Sequence, residues 1–187
     1  NARGKNATQF NLAGTGIGTF NDRLRDAVRG GTPFRSPQEQ GFINGLYTDP
    51  NEVDNWTDVM QRSKLLEYAD VIRLSLAGNL ADYSLISKDG YWLAGWQFGY
   101  NGIFCGYAKS PQETIHYISA HDNETLFDAI QYKAPASADM NERVRMHNLG
   151  IDFVMLSQGV PFFDAGIELN RISLRKRRFN QLILRIT

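Results

Sequence analysis

The chain has 187 residues and 42% apolar content, enough for one ordinary domain with a sizeable core but too little for a complete eight-unit α/β barrel. Its 20 basic and 20 acidic side chains cancel, yet unevenly: Arg171 to Thr187 holds six basic residues and no acid. The single cysteine, Cys105, excludes an internal disulfide and a cysteine-built zinc site, and no apolar run approaches the roughly 20 residues that span a bilayer.

Taken in chain order, residues 1–18 are rich in Gly and Asn and read as a long loop, with Ile17 to Phe20 as a short strand. The chain starts at Asn1 with no charged and apolar leader pattern, and Asn1 is expected not to be a native translation start. Asn21 to Val28 opens on a capping-type residue and stops at Gly30-Gly31, the pattern of a short helix. Residues 32–55 read as a second long loop. Trp56 to Leu76 has apolar residues at helical spacing and ends at Gly78, which predicts a helix.

The aromatic, Gly-rich run from Tyr91 to Tyr107 predicts a hairpin or loop excursion, and Ile115 to Ser119 a strand. Asn123 to Tyr132 and Asn141 to Gln158 read as helices, and Val160 to Phe163 as a buried strand. Strand, helix, strand, helix, strand in that order points to an α/β fold with a parallel sheet and helical crossovers.

In such a sheet, function gathers at the C-terminal ends of strands. His121 and Asp122 follow Ile115 to Ser119. A carboxylate there stabilises positive charge developing on a substrate, and an imidazole donates a hydrogen bond to a hydroxyl. The plainer alternative is that Asp122 caps a helix beginning at Asn123. His116 and His147 read as packed or surface histidines, with no second ligand spaced to make a metal site. Trp92, Trp96, Phe98 and Tyr100 form either a sugar platform or an aromatic hairpin packed on its own domain. Asn6-Ala7-Thr8 and Asn123-Glu124-Thr125 fit the glycosylation tripeptide, which is common by chance.

The run Tyr117-Ile118-Ser119-Ala120-His121-Asp122-Asn123-Glu124-Thr125-Leu126-Phe127-Asp128 resembles the fourth short motif of the α-amylase superfamily in its pullulanase and limit-dextrinase form. Phe20-Asn21-Asp22-Arg23-Leu24-Arg25-Asp26-Ala27, Gln40-Gly41-Phe42, Ala77-Gly78-Asn79-Leu80, Ser110-Pro111-Gln112-Glu113 and Leu156-Ser157-Gln158-Gly159-Val160-Pro161 resemble that family too, in its order. The likeness covers residues 1–170. It implies the C-terminal strand-helix units of a partial (β/α)8 TIM barrel, and a parent enzyme that hydrolyses α-1,6 branch links in pullulan, amylopectin and limit dextrins with retention.

By the same resemblance Asp122 is the carboxylate that supports the transition state, and His121 a donor to sugar hydroxyls. Asn123 and Thr32 are further substrate contacts, and Phe34 is a stacking platform for a glucose ring. The motifs that carry the family's nucleophile and its general acid are absent from these 187 residues, so the isolated chain is expected to be inactive. The resemblance requires no cofactor, identifies no metal ligand here, leaves room for a structural calcium in the parent, and implies a secreted bacterial or a plastid source.

Alternatives within carbohydrate chemistry are a non-catalytic α-glucan-binding module and an α-1,4-acting relative. After Leu169 the family pattern stops, where the charge balance also changes. A shifted reading frame or a cloning or assembly artefact accounts for both in an aberrant tail, residues 171–187. The functional alternative is a basic tail that binds nucleic acid or an anionic membrane, but Arg175 to Arg178 lacks the interleaved aromatics of a nucleic-acid site. The resemblance implies a branched α-glucan as partner, with no nucleic acid and no membrane span.

Overall fold

A computed structural model describes residues 6–32, 35–51, 53, 56–120 and 124–169. Three strands form a parallel sheet: β1 (Thr19–Phe20), β6 (Thr114–His116) and β7 (Val160–Pro161), with β6 in the centre. The register pairs Phe20 with Ile115 and Ile115 with Val160. Backbone bonds carry the pairing one residue further, from Asn21 N to Ile115 O at 2.8 Å and from Phe162 N to His116 O at 2.8 Å.

Between β1 and β6 run α2 (Asp22–Arg29), α3 (Asp58–Leu76) and two small antiparallel hairpins, β2 (Ser84–Ile86) with β3 (Trp92–Ala94) and β4 (Gly99–Tyr100) with β5 (Ile103–Phe104). Between β6 and β7 run α4 (Leu126–Lys133) and α5 (Met140–Leu156). The parallel sheet and its helical crossovers are those the sequence predicts, but β7, expected as a buried strand over Val160 to Phe163, is two residues long and exposed at both, because no further strand covers it among the described residues. The aromatic run, expected as one excursion, is two hairpins, the first starting before it at Ser84. A short helix, α1 (Gln9–Leu12), stands inside the stretch predicted as loop, capped by Thr8, whose hydroxyl accepts from Asn11 N at 3.2 Å.

Side chains that satisfy the first free amides set the helix starts. Thr57 opens α3, and Asp139 with Glu142 closes a capping box on α5. Asn21 is the exception, since its side chain makes no cap bond. It is fully buried and donates from Nδ2 to Ser75 Oγ and to His116 Nδ1, each at 3.2 Å. His116 reaches Gln158 O at 2.8 Å through Nε2, so its ring is a packed link between β6 and the entry to β7. His147 is likewise buried.

The core is built from Leu24 and Val28 of α2, Leu74 of α3, Ile118, Leu126 and Ile130 of α4 and Val154 of α5. Each such burial contributes about 1.5–3 kcal/mol. Other apolar groups stay uncovered: Ile17, Phe20 and Val160 at the sheet, and Met155 and Leu156 at the end of α5. Among the described residues no helix is long and apolar enough to cross a membrane, and no cluster of three or more His, Cys, Asp or Glu is spaced to hold a metal ion.

Acid weakens this fold in two stages. Burial lowers the His116 pKa from its ordinary 6.5, so below that value the unfolded chain takes up the proton first and stability falls with pH. The backbone amides of Gly14, of Gly16 at 2.9 Å and of Lys109 at 3.0 Å face the Glu113 carboxyl and hold it below the ordinary 4.5. Its contribution is complete above 4.5 and is lost as pH falls through its folded value. Glu113→Gln is expected to cost about 1.5–3 kcal/mol at neutral pH and to remove the lower stage from a series of thermal melts across acidic pH. A lower stage unchanged in the variant would contradict that assignment.

Candidate functional site

The sequence-predicted residues Asp122, His121, Asn123 and Phe34 lie outside the described residues; Thr32 is described and half-buried. Beyond β6 the chain runs inward, with Tyr117, Ile118 and Ser119 all buried, and reaches Ala120 at the C-terminal end of the central strand. α4 then starts at Leu126, not at Asn123. Its N-cap is Thr125, whose hydroxyl accepts from Asp128 N at 3.1 Å. The capping role that the sequence offers to Asp122 therefore belongs to Thr125.

α2 is buried on every side from Arg23 to Arg29 although half of it is charged, and its charges organise the surroundings of this strand end. Arg25 donates to Asp26 Oδ1 from Nε at 2.7 Å, and its Nη2 lies 2.7 Å from the same oxygen. Tyr100 donates its hydroxyl to Asp26 Oδ2, which ties the second hairpin to α2. Arg25 also donates to the Tyr117 hydroxyl and lies over its ring, 5.3 Å from the centroid. The same ring packs edge to face with Phe20, the ring centroids 4.9 Å apart. Burial of the Asp26 carboxyl raises its pKa against the pull of Arg25. Tyr117, three residues before Ala120, is thereby held from α2, β1 and the hairpin at once.

Loop 30–41, which contains Thr32 and Phe34, is pinched at its neck. Gly30 has φ 92°, and a Cβ there would stand 2.3 Å from Glu39 O; a Cβ on Gly41 would stand 2.2 Å from Gly30 N. Glycine at both positions is what lets the two backbones touch. Asn44 adds bonds of 2.7 Å each, from Nδ2 to Arg29 O and from Gly41 N to its Oδ1. Lys133, at the end of α4, donates to Gly30 O at 3.0 Å and to Glu39 O at 2.8 Å, one carbonyl on each side of the neck. Arg29, next to Gly30, reaches Glu124 O at 3.5 Å. The structure thus brings the neck of the Thr32 loop and the residue that follows Asn123 to the same end of α2.

None of these buried charges is marked in the sequence. Leu24, Ala27 and Val28 give α2 a narrow apolar stripe, which predicts that the remaining side chains face water. The aromatic candidates divide: Phe98 is buried and Tyr100 is engaged with Asp26, as the packed reading expects, whereas Trp92 and Trp96 are 68% and 48% exposed.

No family model matches the chain. It is 47% identical over 172 residues to Pullulanase 1, chloroplastic, of Arabidopsis thaliana, covering 91% of this chain and 18% of that protein. It is 50% identical over 169 residues to the pullulanase of Klebsiella aerogenes, covering 88% of this chain and 15% of that one. The crystal structure of Klebsiella pneumoniae pullulanase complexed with maltotriose aligns with 89% of this chain and 16% of its own, at a TM-score of 0.83 and 49% identity. The chain therefore spans less than a fifth of the length of these relatives, and over that stretch it resembles pullulanases in both sequence and mixed α/β structure.

Proposed function

We propose that this chain, pullulanase-type in sequence over 91% of its length, is part of a starch-debranching glycoside hydrolase acting on α-1,6 links of branched α-glucans. The observation that carries the reading is the 47–50% identity to pullulanases of the stretch whose described part holds the parallel sheet with β6 at its centre, and whose sequence contains His121-Asp122-Asn123. The maltotriose complex of the Klebsiella pneumoniae enzyme supports a glucan ligand. The exposed Ile17, Phe20 and Val160 at the sheet support a partial (β/α)8 barrel, in which further strands would cover these side chains. The chloroplastic relative supports a plastid source.

Retaining hydrolysis needs a nucleophile and an acid carboxyl about 5–5.5 Å apart, and passes through an oxocarbenium-like transition state. In this reading both carboxyls come from outside the 187 residues. Asp122 supplies negative charge toward the anomeric carbon as positive charge develops, and stabilises the transition state more than the ground state. His121 and Asn123 hold sugar hydroxyls at the cleavage point, while Thr32 and Phe34 contact the neighbouring ring from loop 30–41. That the N-cap of α4 is Thr125 supports a role for Asp122 other than helix capping.

The isolated chain is accordingly expected to bind a branched maltooligosaccharide and to release no reducing ends from pullulan. Reducing ends formed by the purified chain would overturn the division of carboxylates. An absence of binding would overturn the glucan reading itself.

A further inference from the structure

Lys133 is 4% exposed, and both of its hydrogen-bond acceptors are main-chain carbonyls of one loop neck, Gly30 O and Glu39 O. Its own carbonyl accepts from Asn51 Nδ2 at 2.8 Å, and the same amide donates to Gln38 O at 2.8 Å, so a second bond joins the C-terminal end of α4 to loop 30–41. The helix that carries Lys133 has eight residues, a rigid length of about 12 Å, starts at Leu126 and is capped by Thr125. One short helix therefore has its Thr125 cap at one end and the neck of the Thr32 loop at the other.

We propose that Lys133 is a positioning residue, which fastens the neck of loop 30–41 to the C-terminal end of α4. An apolar side chain of similar length would leave both carbonyls without a donor, and the neck would lose its side-chain attachment to α4 while keeping the Asn51 bridge, Asn44 and the Gly30–Gly41 contact. That Thr32 touches substrate rests on the functional reading above; the attachment of the neck does not.

Charged groups facing the ammonium are Arg29 and Asp26 of α2, Glu39 of the loop and Glu124 ahead of α4. Burial, with Arg29 next in effect, pushes the Lys133 pKa down from 10.5 to about 8. A neutral amine keeps two N–H donors, one for each carbonyl. Opening the neck returns the group to water and to its ordinary 10.5, so protonation favours the open neck. By linkage the neck tightens as pH rises from about 8 toward 10.5.

The test is amide hydrogen exchange in the full chain at Arg35, Glu39 and Gly41, whose N–H groups bond to Thr32 O, Ser36 O and Asn44 Oδ1. Lys133→Met is expected to lower their protection about tenfold while the amides of α5 are unchanged. Lys133→Arg, which stays charged, is expected to keep the neutral-pH protection and to lose the rise that the wild type gains above pH 8. Affinity for a branched maltooligosaccharide is expected to fall about tenfold in Lys133→Met and to recover in Lys133→Arg. Unchanged protection at the neck, an equal loss at the neck and in α5, or identical pH profiles for wild type and Lys133→Arg would overturn the proposal. The last comparison holds even if the Met variant does not fold. If the wild type binds no glucan, the functional reading fails, and the exchange results still decide the neck.

Discussion

Asn in place of Asp122 is expected to lower kcat on pullulan by about a thousandfold, with KM little changed, in a Klebsiella pneumoniae pullulanase whose matching stretch is exchanged for the one in this chain, if Asp122 has the role proposed for it. The size follows from the role. A charge that acts on the oxocarbenium-like transition state and hardly at all on bound substrate affects kcat and kcat/KM together, and Asn keeps the shape of Asp while removing the charge. Rates are measured as reducing ends against substrate concentration. A loss confined to KM would make Asp122 a binding residue only, and a loss below about tenfold would remove it from the catalytic set.

The second large effect is on stability. Asp26→Ala leaves the Arg25 guanidinium buried without its carboxylate and Tyr100 without its acceptor. Breaking a buried ion pair by deleting one partner costs about 3–5 kcal/mol, which urea unfolding resolves. Replacing both partners at once with apolar residues, Arg25→Met with Asp26→Leu, is expected to recover much of that loss, because neither charge is then stranded. If Asp26→Ala proves no worse than the double variant, the network around Tyr117 contributes little. Arg25 holds the Tyr117 hydroxyl, so the single variant also loosens the residue three positions before Ala120.

The sheet was legible because its strands carry short β-branched and aromatic runs set between well-spaced helical patterns. Ile115 and Val160 pair in the parallel register that the element order implies. The start of α4 was legible only in part. Asn123 and Glu124 look like helix-opening residues, but Thr125 followed three positions later by Asp128 is the stronger signal, since a hydroxyl reaches the third amide of the helix.

The charged interior was not legible at all. Lys133 meets Gly30 across 103 residues of sequence, and nothing near Lys133 indicates that its amine ends among carbonyls. The same holds for Arg25 and Asp26, whose neighbours in the chain form an ordinary polar helix surface. A buried charge needs partners brought by tertiary structure, and periodicity records only the local part of the fold. Candidate residues at the strand end were legible by resemblance alone. A lone carboxylate after a strand fits helix capping equally well until Thr125 takes that role.

One measurement bears on all of this: pullulan hydrolysis by the exchanged Klebsiella pneumoniae enzyme carrying residues 6–169 of this chain. The account predicts release of maltotriose through cleavage of α-1,6 links with retention of configuration, at a rate within about tenfold of the parent. A folded exchanged enzyme that leaves α-1,6 links intact would contradict it.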